Sequence, residues 1–498
     1  MKSLRKILFW SGIFLVILTN IIIKPLGNLD EIWNFNFARC ISNGLVPYKD
    51  ISMVITPLVS FLSAIFLKIF GSELFVTRAL AAILAIVNLG IIYKICTNIG
   101  IKSPISKVLV LVIMYIMTAY FCLDYNFFIL TLALSIILLE VKNNKQNQKN
   151  KKIHILIGIL SGLSIITKQT IGLLICGVCI LDQLFFIKEK SDFKFVLKNI
   201  RNRAIGIIIP IIIFFIYLIA FGAFNDFIDY CILGVKTFSN NISYTELVKS
   251  NEVLIKILSI AAPIILIIAV LLNIVYKFKK RENKIFFILT VYCIPTFIMV
   301  YPIADNIHFL ISIVPIYILV LYSIKIIINK IKFIEKINFK YVLEFIETIS
   351  FIFIILFTGY IELKNRDDLS NLSKYKSLNH FYGIKIDSSL LNTIKITDEY
   401  IKKSDKRVYI LDASAAVYMI PINRYNKNYD MFCKGNLGGG SEEKQIEIIS
   451  QQEDTIYLIL NSNYSINWQT PTKVIQYVKE NFTQNGTVGI YDIYEKAQ

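Results

Sequence analysis

The sequence predicts an α-helical membrane protein that crosses the bilayer many times and carries a small α/β domain at its C-terminal end. The chain has 498 residues, of which 55% are hydrophobic. Its mean hydropathy is +0.61. These values exclude an ordinary soluble protein. Apolar stretches recur along the first 361 residues, and soluble patterning replaces them beyond that point. We therefore expect a transmembrane domain over residues 1–361 and an α/β domain over residues 362–498.

The predicted membrane spans follow from the length of each apolar stretch, because a helix needs about 20 apolar residues to cross the hydrocarbon core. The first span follows a basic N-terminus, and no small-residue cleavage site comes after it, so we interpret it as an uncleaved span. About eleven candidates result: 7–23, 74–96, 106–122, 125–141, 153–167, 170–187, 204–221, 253–276, 285–301, 307–328 and 342–361.

Basic residues occupy alternate loops between these spans, and this pattern predicts the topology. The net charge is +18, and most of the excess lies in those loops. The positive-inside rule then places the N-terminus in the cytoplasm and the C-terminal domain outside the cytoplasmic membrane. The same placement explains the charge without a nucleic-acid partner. Asp182, near the cytoplasmic end of its span, is interpreted as reaching to water. The basic loops are 1–6, 94–107, 142–152, 188–203, 277–284 and 325–340.

Residues 24–73 form a long first external loop that is predicted to contain two juxtamembrane helices. The first, over residues 30–43, has helical spacing with mixed polarity. The second begins at Pro57 and ends at Gly71, which are typical start and stop residues of a helix. Helices lying at the membrane interface and a re-entrant hairpin both fit this pattern.

The C-terminal domain is predicted from strands that alternate with helices, which indicates an α/β arrangement. The segment Trp468–Pro471 is interpreted as a loop that leads into a helix. The predicted strands are 408–411, 455–460 and 488–494, and the predicted helices are 389–403, 442–451 and 472–481.

Ionisable side chains gather in the loops that this topology places outside. Such residues near membrane depth are costly, so they suggest function. Alone, each is more often a solvated turn residue, but together they predict the lining of one outward-facing cavity. Carboxylates there can act as general bases or bind a metal, and Lys168 and His308 can hold a phosphate. The residues leave a divalent cation open as a cofactor and point to no other. The candidates are Asp30, Glu31, Asp50, Asp124, Lys168, Gln169, Asp305 and His308.

The first external loop resembles a known family. It reads Asp30-Glu31-x-Trp33, then Ile41-x-x-Gly44-x-x-Pro47-Tyr48-x-Asp50, then Pro57-Leu58, Phe70-Gly71 and Arg78. This pattern is similar to the N-terminal half of GT-C membrane glycosyltransferases of the protein O-mannosyltransferase and lipid A aminoarabinose-transferase type, and is glycosyltransferase family 39-like. The resemblance implies a GT-C fold with the two juxtamembrane helices, a polyprenyl-phosphate-linked sugar donor and inversion of the sugar.

The resemblance also implies roles for the candidate residues. The leading aspartate, here Asp30, is the proposed catalytic base of that family. Asp124 falls where the family has a second acidic residue, and Thr167-Lys168 matches a pair that is implicated in holding the donor phosphate. Asp305-x-x-His308 is similar to a turn of many bacterial members. We accordingly predict three catalytic residues, Asp30, Glu31 and Asp124, and six substrate-binding residues, Lys168, Gln169, Asp305, His308, Tyr48 and Asp50.

The predicted function is that of a polyprenyl-phosphate-sugar-dependent glycosyltransferase. It would transfer a hexose or pentose to a lipid, glycan or protein acceptor of the cell envelope, at the outer face of the plasma membrane. A transporter or flippase of lipid-linked saccharides, a polymerase and a non-catalytic GT-C protein are the alternatives. A transporter predicts functional polar residues in both halves of the membrane, whereas the candidates here lie on one face.

Overall fold

The computed structural model describes residues 2–27, 29–120, 123–187, 192–237, 242–279, 281, 283–329, 340–364 and 378–496. The predicted turn before Asp124 includes Phe121 and Cys122, which lie outside the described residues. The same holds for 188–191 and 330–339 in two of the predicted basic loops, and for 365–377 at the start of the predicted C-terminal domain.

Long helices dominate the first 364 residues, and each predicted span coincides with one helix or with two consecutive helices. Seven of the described helical segments are long and apolar enough to cross a membrane. Three further apolar helices are shorter, at 58–70, 103–117 and 284–298. The helices are α1 Lys2–Ile23, α2 Leu29–Ser42, α3 Leu58–Phe70, α4 Leu74–Asn98, α5 Ser103–Tyr120, α6 Tyr125–Lys145, α7 Lys151–Thr167, α8 Gln169–Leu181, α9 Asp192–Ala220, α10 Phe224–Phe227, α11 Tyr244–Val248, α12 Val253–Phe278, α13 Lys284–Ile298, α14 Asn306–Ser312, α15 Val314–Ile328 and α16 Lys340–Lys364.

The segment of residues 24–73 contains the two predicted helices, α2 and α3. Helix α3 follows Pro57 and ends at Gly71, whose φ of 103° suits glycine and whose N–H donates to the Leu67 carbonyl. Helix α2 is buried on all sides over residues 31–40. A helix with one side facing lipid would leave that side exposed. The reason is that the C-terminal region covers its other face: the Trp33 indole N–H donates to the Ala413 carbonyl at 2.9 Å.

Helices α7 and α9 approach each other closely through glycines. A Cβ added to Gly158 would lie 2.2 Å from the Arg203 carbonyl oxygen, and one added to Gly206 would lie 2.2 Å from that of Ile155. Small residues at such crossings let helix backbones touch, as membrane helix pairs require. The α7–α8–α9 unit is therefore tightly fixed, and the turn that carries Lys168 belongs to it.

A fully buried ion cluster lies at the other end of this unit. Arg203 Nη1 contacts Asp182 Oδ1 at 2.8 Å, and Arg203 Nη2 contacts Glu140 Oε1 at 2.5 Å. The Tyr292 hydroxyl donates to Asp182 Oδ2 at 3.1 Å. Asp182 is only 3% exposed, so the expectation that it reaches to water is wrong. The ion pair with Arg203 stabilises the Asp182 carboxylate in place of solvent.

Arg203→Met is expected to lower the free energy of unfolding by about 3–5 kcal/mol, because it leaves two buried carboxylates without their cation. Arg201→Met is the matched control, since Arg201 is exposed two residues away. Thermal or denaturant unfolding of both variants in detergent micelles measures the difference. Equal stability of the two variants would contradict this role of Arg203.

The described C-terminal residues, 378–496, form a four-stranded sheet with helices. The elements are α17 Ser388–Lys403, β1 Arg407–Ile410, α18 Ala415–Met419, α19 Ser441–Gln451, β2 Thr455–Leu460, α20 Thr472–Asn481, β3 Thr483–Val488 and β4 Tyr491–Glu495. The strand order is β1-β2-β4-β3, in which β1 and β2 are parallel and the other pairs are antiparallel.

The sequence prediction missed one strand of this sheet. It placed a single strand over residues 488–494, whereas the structure has a hairpin of β3 and β4 that turns at Gly489, where φ is 59°. Strand β3 is exposed over most of its length and contains a bulge between Gln484 and Thr487. An exposed polar edge strand lacks the apolar alternation by which strands are recognised.

The sheet connects the C-terminal region to the helical region through one of its faces. Val408, Ile410 and Leu458 belong to the same apolar cluster as Ile32 and Phe35 of α2. The alternate residues, such as Tyr409 and Tyr457, pack in a separate cluster with α20. Because side chains alternate along a strand, one face of the sheet packs with α20 and the other contributes to the apolar cluster that includes α2. The helix that carries Asp30 thus shares an apolar core with the C-terminal region.

Candidate active site

A cavity of about 430 Å³ opens where the helical region meets the C-terminal region. Its lining combines the start of α2, the turns that precede α6, α8 and α14, and two loops of the C-terminal region. Five of the nine residues that the sequence singled out for the site line it. These five are Asp30, Lys168, Gln169, Asp305 and His308.

Asp30 lies in the first turn of α2, with its side chain on the cavity. Burial raises its pKa to about 6, an effect that the charge of His308 opposes and those of Asp124 and Asp305 reinforce. A carboxylate with such a pKa is a stronger base than one in water and is still ionised near neutral pH. Asp30 therefore has the properties of a general base.

His308 and Asp305 form one unit at the start of α14. Asp305 caps the helix, since its Oδ1 accepts the backbone N–H of His308 at 2.8 Å and contacts His308 Nδ1 at 2.7 Å. Burial alone would raise the pKa of Asp305, but its hydrogen bonds and charge interaction with His308 outweigh this and leave the pKa below its ordinary value. The pairing fixes the imidazole ring and directs its other nitrogen away from Asp305.

Lys168 is the single residue between α7 and α8. Its Nζ donates to Asn126 Oδ1 at 2.8 Å and lies 5.1 Å from the centre of the Tyr125 ring. Burial lowers its pKa to about 8, against the opposing charges of Asp124, Asp30 and Asp305. A buried cation on a cavity wall is suited to binding a phosphate.

Asp124 lies behind this wall and does not itself line the cavity. It is 1% exposed, and its Oδ1 accepts the backbone N–H of Phe127 at 2.7 Å, which caps α6. Burial raises its pKa, while that hydrogen bond and the charges of His308 and Lys168 lower it. Its position allows it to influence the charges of the site without touching a bound substrate.

The other three candidates lie off the cavity and hold the loop of residues 24–73 in shape. Glu31 accepts two hydrogen bonds of 2.8 Å from Arg78, through both of its carboxylate oxygens. The Tyr48 hydroxyl donates to the Ile55 carbonyl at 2.9 Å. Asp50 Oδ2 accepts the Val46 N–H at 2.8 Å. These contacts connect the loop to α4 and to itself, and Ile55 in turn lines the cavity.

Sequence reasoning missed two contributions to the site. The first is Asn126, which accepts a hydrogen bond from Lys168. The only sequence signal for Asn126 was its position two residues after Asp124. Asn467, Trp468 and Gln469 also line the cavity, although the sequence analysis interpreted Trp468–Pro471 only as a loop that leads into a helix. No sequence signal brings residues so distant from Asp30 to the same cavity.

The residues that the structure describes contain no group of three or more His, Cys, Asp and Glu side chains placed to hold a metal ion. Asp305 is paired with His308, and Asp124 caps a helix. The arrangement does not fit the carboxylate-rich coordination that a divalent ion such as Mg²⁺ prefers. We therefore assign no metal ligand and no metal-dependent step.

A bell-shaped pH dependence of activity is expected from these charges. A carboxylate such as that of Asp30 can act as a base only when ionised, so kcat/KM is expected to rise with pH through about 6. An amine such as that of Lys168 can attract a phosphate by its charge only when protonated, so kcat/KM is expected to fall above about 8. A pH series of initial rates measures both limbs. If kcat/KM does not fall above about pH 8, the role of Lys168 is contradicted.

Comparisons with known proteins agree with this architecture. Residues 55–219, about a third of the chain, match the family described as dolichyl-phosphate-mannose-protein mannosyltransferase. The matched segment includes α3, Asp124 and Lys168. No curated protein matches the sequence significantly.

Solved structures resemble the whole chain at low sequence identity. ArnT from Cupriavidus metallidurans bound to undecaprenyl phosphate has a TM-score of 0.59 at 9% identity, and each chain is covered over 100% of its length. The apo state of the same protein gives 0.58 at 9% identity, with the same coverage. The oligosaccharyltransferase of Archaeoglobus fulgidus, tethered to an acceptor peptide, gives 0.54 at 10% identity, over 100% of this chain and 75% of that one. Likeness at this level of identity establishes a shared fold, and it agrees with the fold that the sequence pattern of residues 30–78 predicts.

Proposed function

We propose that this chain, a multi-pass membrane protein with the GT-C fold of membrane glycosyltransferases, transfers a sugar from a polyprenyl-phosphate carrier to an acceptor hydroxyl. One observation supports the proposal most: a carboxylate with a pKa of about 6 and two side chains that can carry positive charge line the same cavity. Transfer from a sugar phosphate needs a base for the attacking hydroxyl and cations for the departing phosphate.

In the proposed reaction the Asp30 carboxylate takes the proton of the acceptor hydroxyl. The hydroxyl oxygen forms a bond to the anomeric carbon while the bond from that carbon to the phosphate oxygen breaks. The electron pair of the broken bond stays on the lipid phosphate. Attack on the face opposite the leaving phosphate inverts the anomeric configuration. Asp30 and Lys168 come from separate elements that line one cavity, so one can contact the acceptor hydroxyl while the other contacts the donor phosphate.

Lys168 and His308 are the proposed partners of the lipid phosphate. Asn126 and Tyr125 hold the Lys168 ammonium, and Asp305 holds the His308 ring, so both groups are oriented before a donor arrives. Groups fixed in this way stabilise the charge that develops on the phosphate without reorganising during the reaction. Asp124 is proposed to tune these charges from behind the wall.

The proposed location of the site is the outer face of the plasma membrane. The alternation of basic loops supports an N-terminus in the cytoplasm and a C-terminal region outside. The acceptor is then a component of the cell envelope. Residues 362–498 are proposed to be a separate domain that covers the cavity from the outside.

The proposal is tested with purified protein in nanodiscs and a panel of radiolabelled polyprenyl-phosphate hexoses and pentoses. The expected result is transfer or release of the labelled sugar from one donor, with free polyprenyl phosphate as the second product. If one donor binds but is never turned over, the protein is not a transferase. A flipping assay in liposomes would then test the transporter alternative.

A further inference from the structure

The walls of the cavity differ in their chemistry. The carboxylate, ammonium and imidazole groups on its surface all belong to residues before position 309: Asp30, Lys168, Asp305 and His308. The C-terminal region contributes four lining residues, Met431, Asn467, Trp468 and Gln469. None of these four carries a titratable group, so the helical region supplies a charged wall of the cavity and the C-terminal region a neutral wall.

The neutral wall has a fixed shape. Within the loop, Asn467 Oδ1 accepts the Gln469 N–H at 2.9 Å, and the Asn467 carbonyl accepts the Thr470 N–H at 2.9 Å. The Gln469 carbonyl accepts the Lys434 N–H at 2.8 Å, which ties the loop to the rest of the C-terminal region. A loop held by its own backbone loses little conformational entropy when a ligand binds.

Trp468 presents an aromatic surface on this wall. It is 37% exposed, whereas Trp33 of α2, which also lines the cavity, is 7% exposed and donates its indole N–H to Ala413. Among the described residues, the indole N–H of Trp468 has no acceptor. Large aromatic residues that are left exposed in a cavity, with a polar tip free to donate, are typical of ligand-binding positions.

A neutral sugar ring fits this combination better than a charged group does. The C–H face of a pyranose can pack on the indole, and its hydroxyls can bond to the amides of Asn467 and Gln469 and to the indole N–H. A phosphate or carboxylate would call for a cation on the same wall, and the lining residues of the C-terminal region include none.

We propose that the loop Asn467–Gln469 is a binding subsite for an uncharged pyranose ring, with Trp468 as its stacking surface, and that the acceptor is therefore a glycan. The assignment to the acceptor rests on the proposed function, because in that reaction the donor phosphate takes the charged wall. The binding of a neutral sugar to this loop does not depend on catalysis.

The test measures binding, so it needs no turnover. Full-length protein in nanodiscs is titrated by calorimetry with neutral trisaccharides built from glucose, mannose, galactose or N-acetylglucosamine, and with one acidic trisaccharide and one serine-containing peptide. Wild type is expected to bind at least one neutral trisaccharide. Trp468→Ala is expected to weaken that binding by about tenfold or more, the loss that corresponds to removing an aromatic contact of about 1.4 kcal/mol.

Two controls make the result specific. Trp10→Phe alters a tryptophan of α1 that packs against Phe9 and Tyr93 and lies off the cavity, and it is expected to bind like wild type. Trp468→Phe keeps an aromatic face and should retain most of the affinity. Equal affinity of wild type and Trp468→Ala would overturn the proposal, as would binding of the acidic or peptide probe alone, or of no probe at millimolar concentration. Binding is measured without turnover, so a loss of transfer in Asp30→Asn and a loss of trisaccharide binding in Trp468→Ala are separate results.

Discussion

Asp30→Asn is expected to reduce sugar transfer by about 10²–10⁴-fold, the usual contribution of a positioned general base. The amide has nearly the shape of the carboxylate but cannot accept the acceptor proton. Because the side chain faces the cavity rather than a packed core, the variant is expected to fold normally and to bind the donor. Initial rates with saturating donor, compared with thermal unfolding of the same preparation, separate the loss of chemistry from the loss of structure.

The matched control for Asp30→Asn is Asp226→Asn. Asp226 is a surface residue that pairs with Lys427 at 3.3 Å and lies outside the cavity. Its substitution is expected to leave transfer within a factor of about two, since exposed ion pairs contribute little. Near-normal transfer by Asp30→Asn would contradict the role of Asp30 as the base, whatever the effects of substitutions at other residues.

Lys168→Met is expected to reduce kcat by about 10²–10³-fold, as the loss of a fixed group that stabilises developing charge does. A second effect is expected in the pH profile. The Lys168 charge lowers the pKa of Asp30, so removing that charge raises this pKa and moves the acid limb of the profile to higher pH. A residue with a purely structural role would not move that limb.

The control for Lys168→Met is Lys68→Met, an exposed lysine in the last turn of α3. It should keep both the rate and the acid limb of the profile. If Lys168→Met lowers the rate only through weaker folding, its acid limb will stay at the wild-type position. That outcome would mean that Lys168 stabilises the α7–α8 turn and does not bind the phosphate.

Much of the fold followed from local sequence patterns. Apolar stretches of about 20 residues predicted helices such as α4 and α6, since hydropathy over one helix length is a property of the chain itself. Pro57 and Gly71 marked the ends of α3 correctly. The strand β3 was missed because its exposed, bulged residues carry no alternation.

The candidate site followed only in part. The topology argument grouped Asp30, Lys168, Asp305 and His308, since turns on one side of a helical bundle come close together, and the structure places all four on one cavity. The same argument gave no means of separating Asp30 from its neighbour Glu31. Successive residues of a helix point in different directions, and a partner 47 positions away decides which of the two carboxylates is paired.

The sequence by itself determined that this is a helical membrane protein, where most of its helices lie and which turns between them carry charge. These are local properties, set by side-chain hydrophobicity over short stretches. Only the tertiary structure decided that Glu31 pairs with Arg78, that Asp182 pairs with Arg203 and that Trp468 faces the cavity that holds Asp30. Such contacts join residues far apart in the chain, and they depend on how whole elements pack rather than on any pattern within one of them.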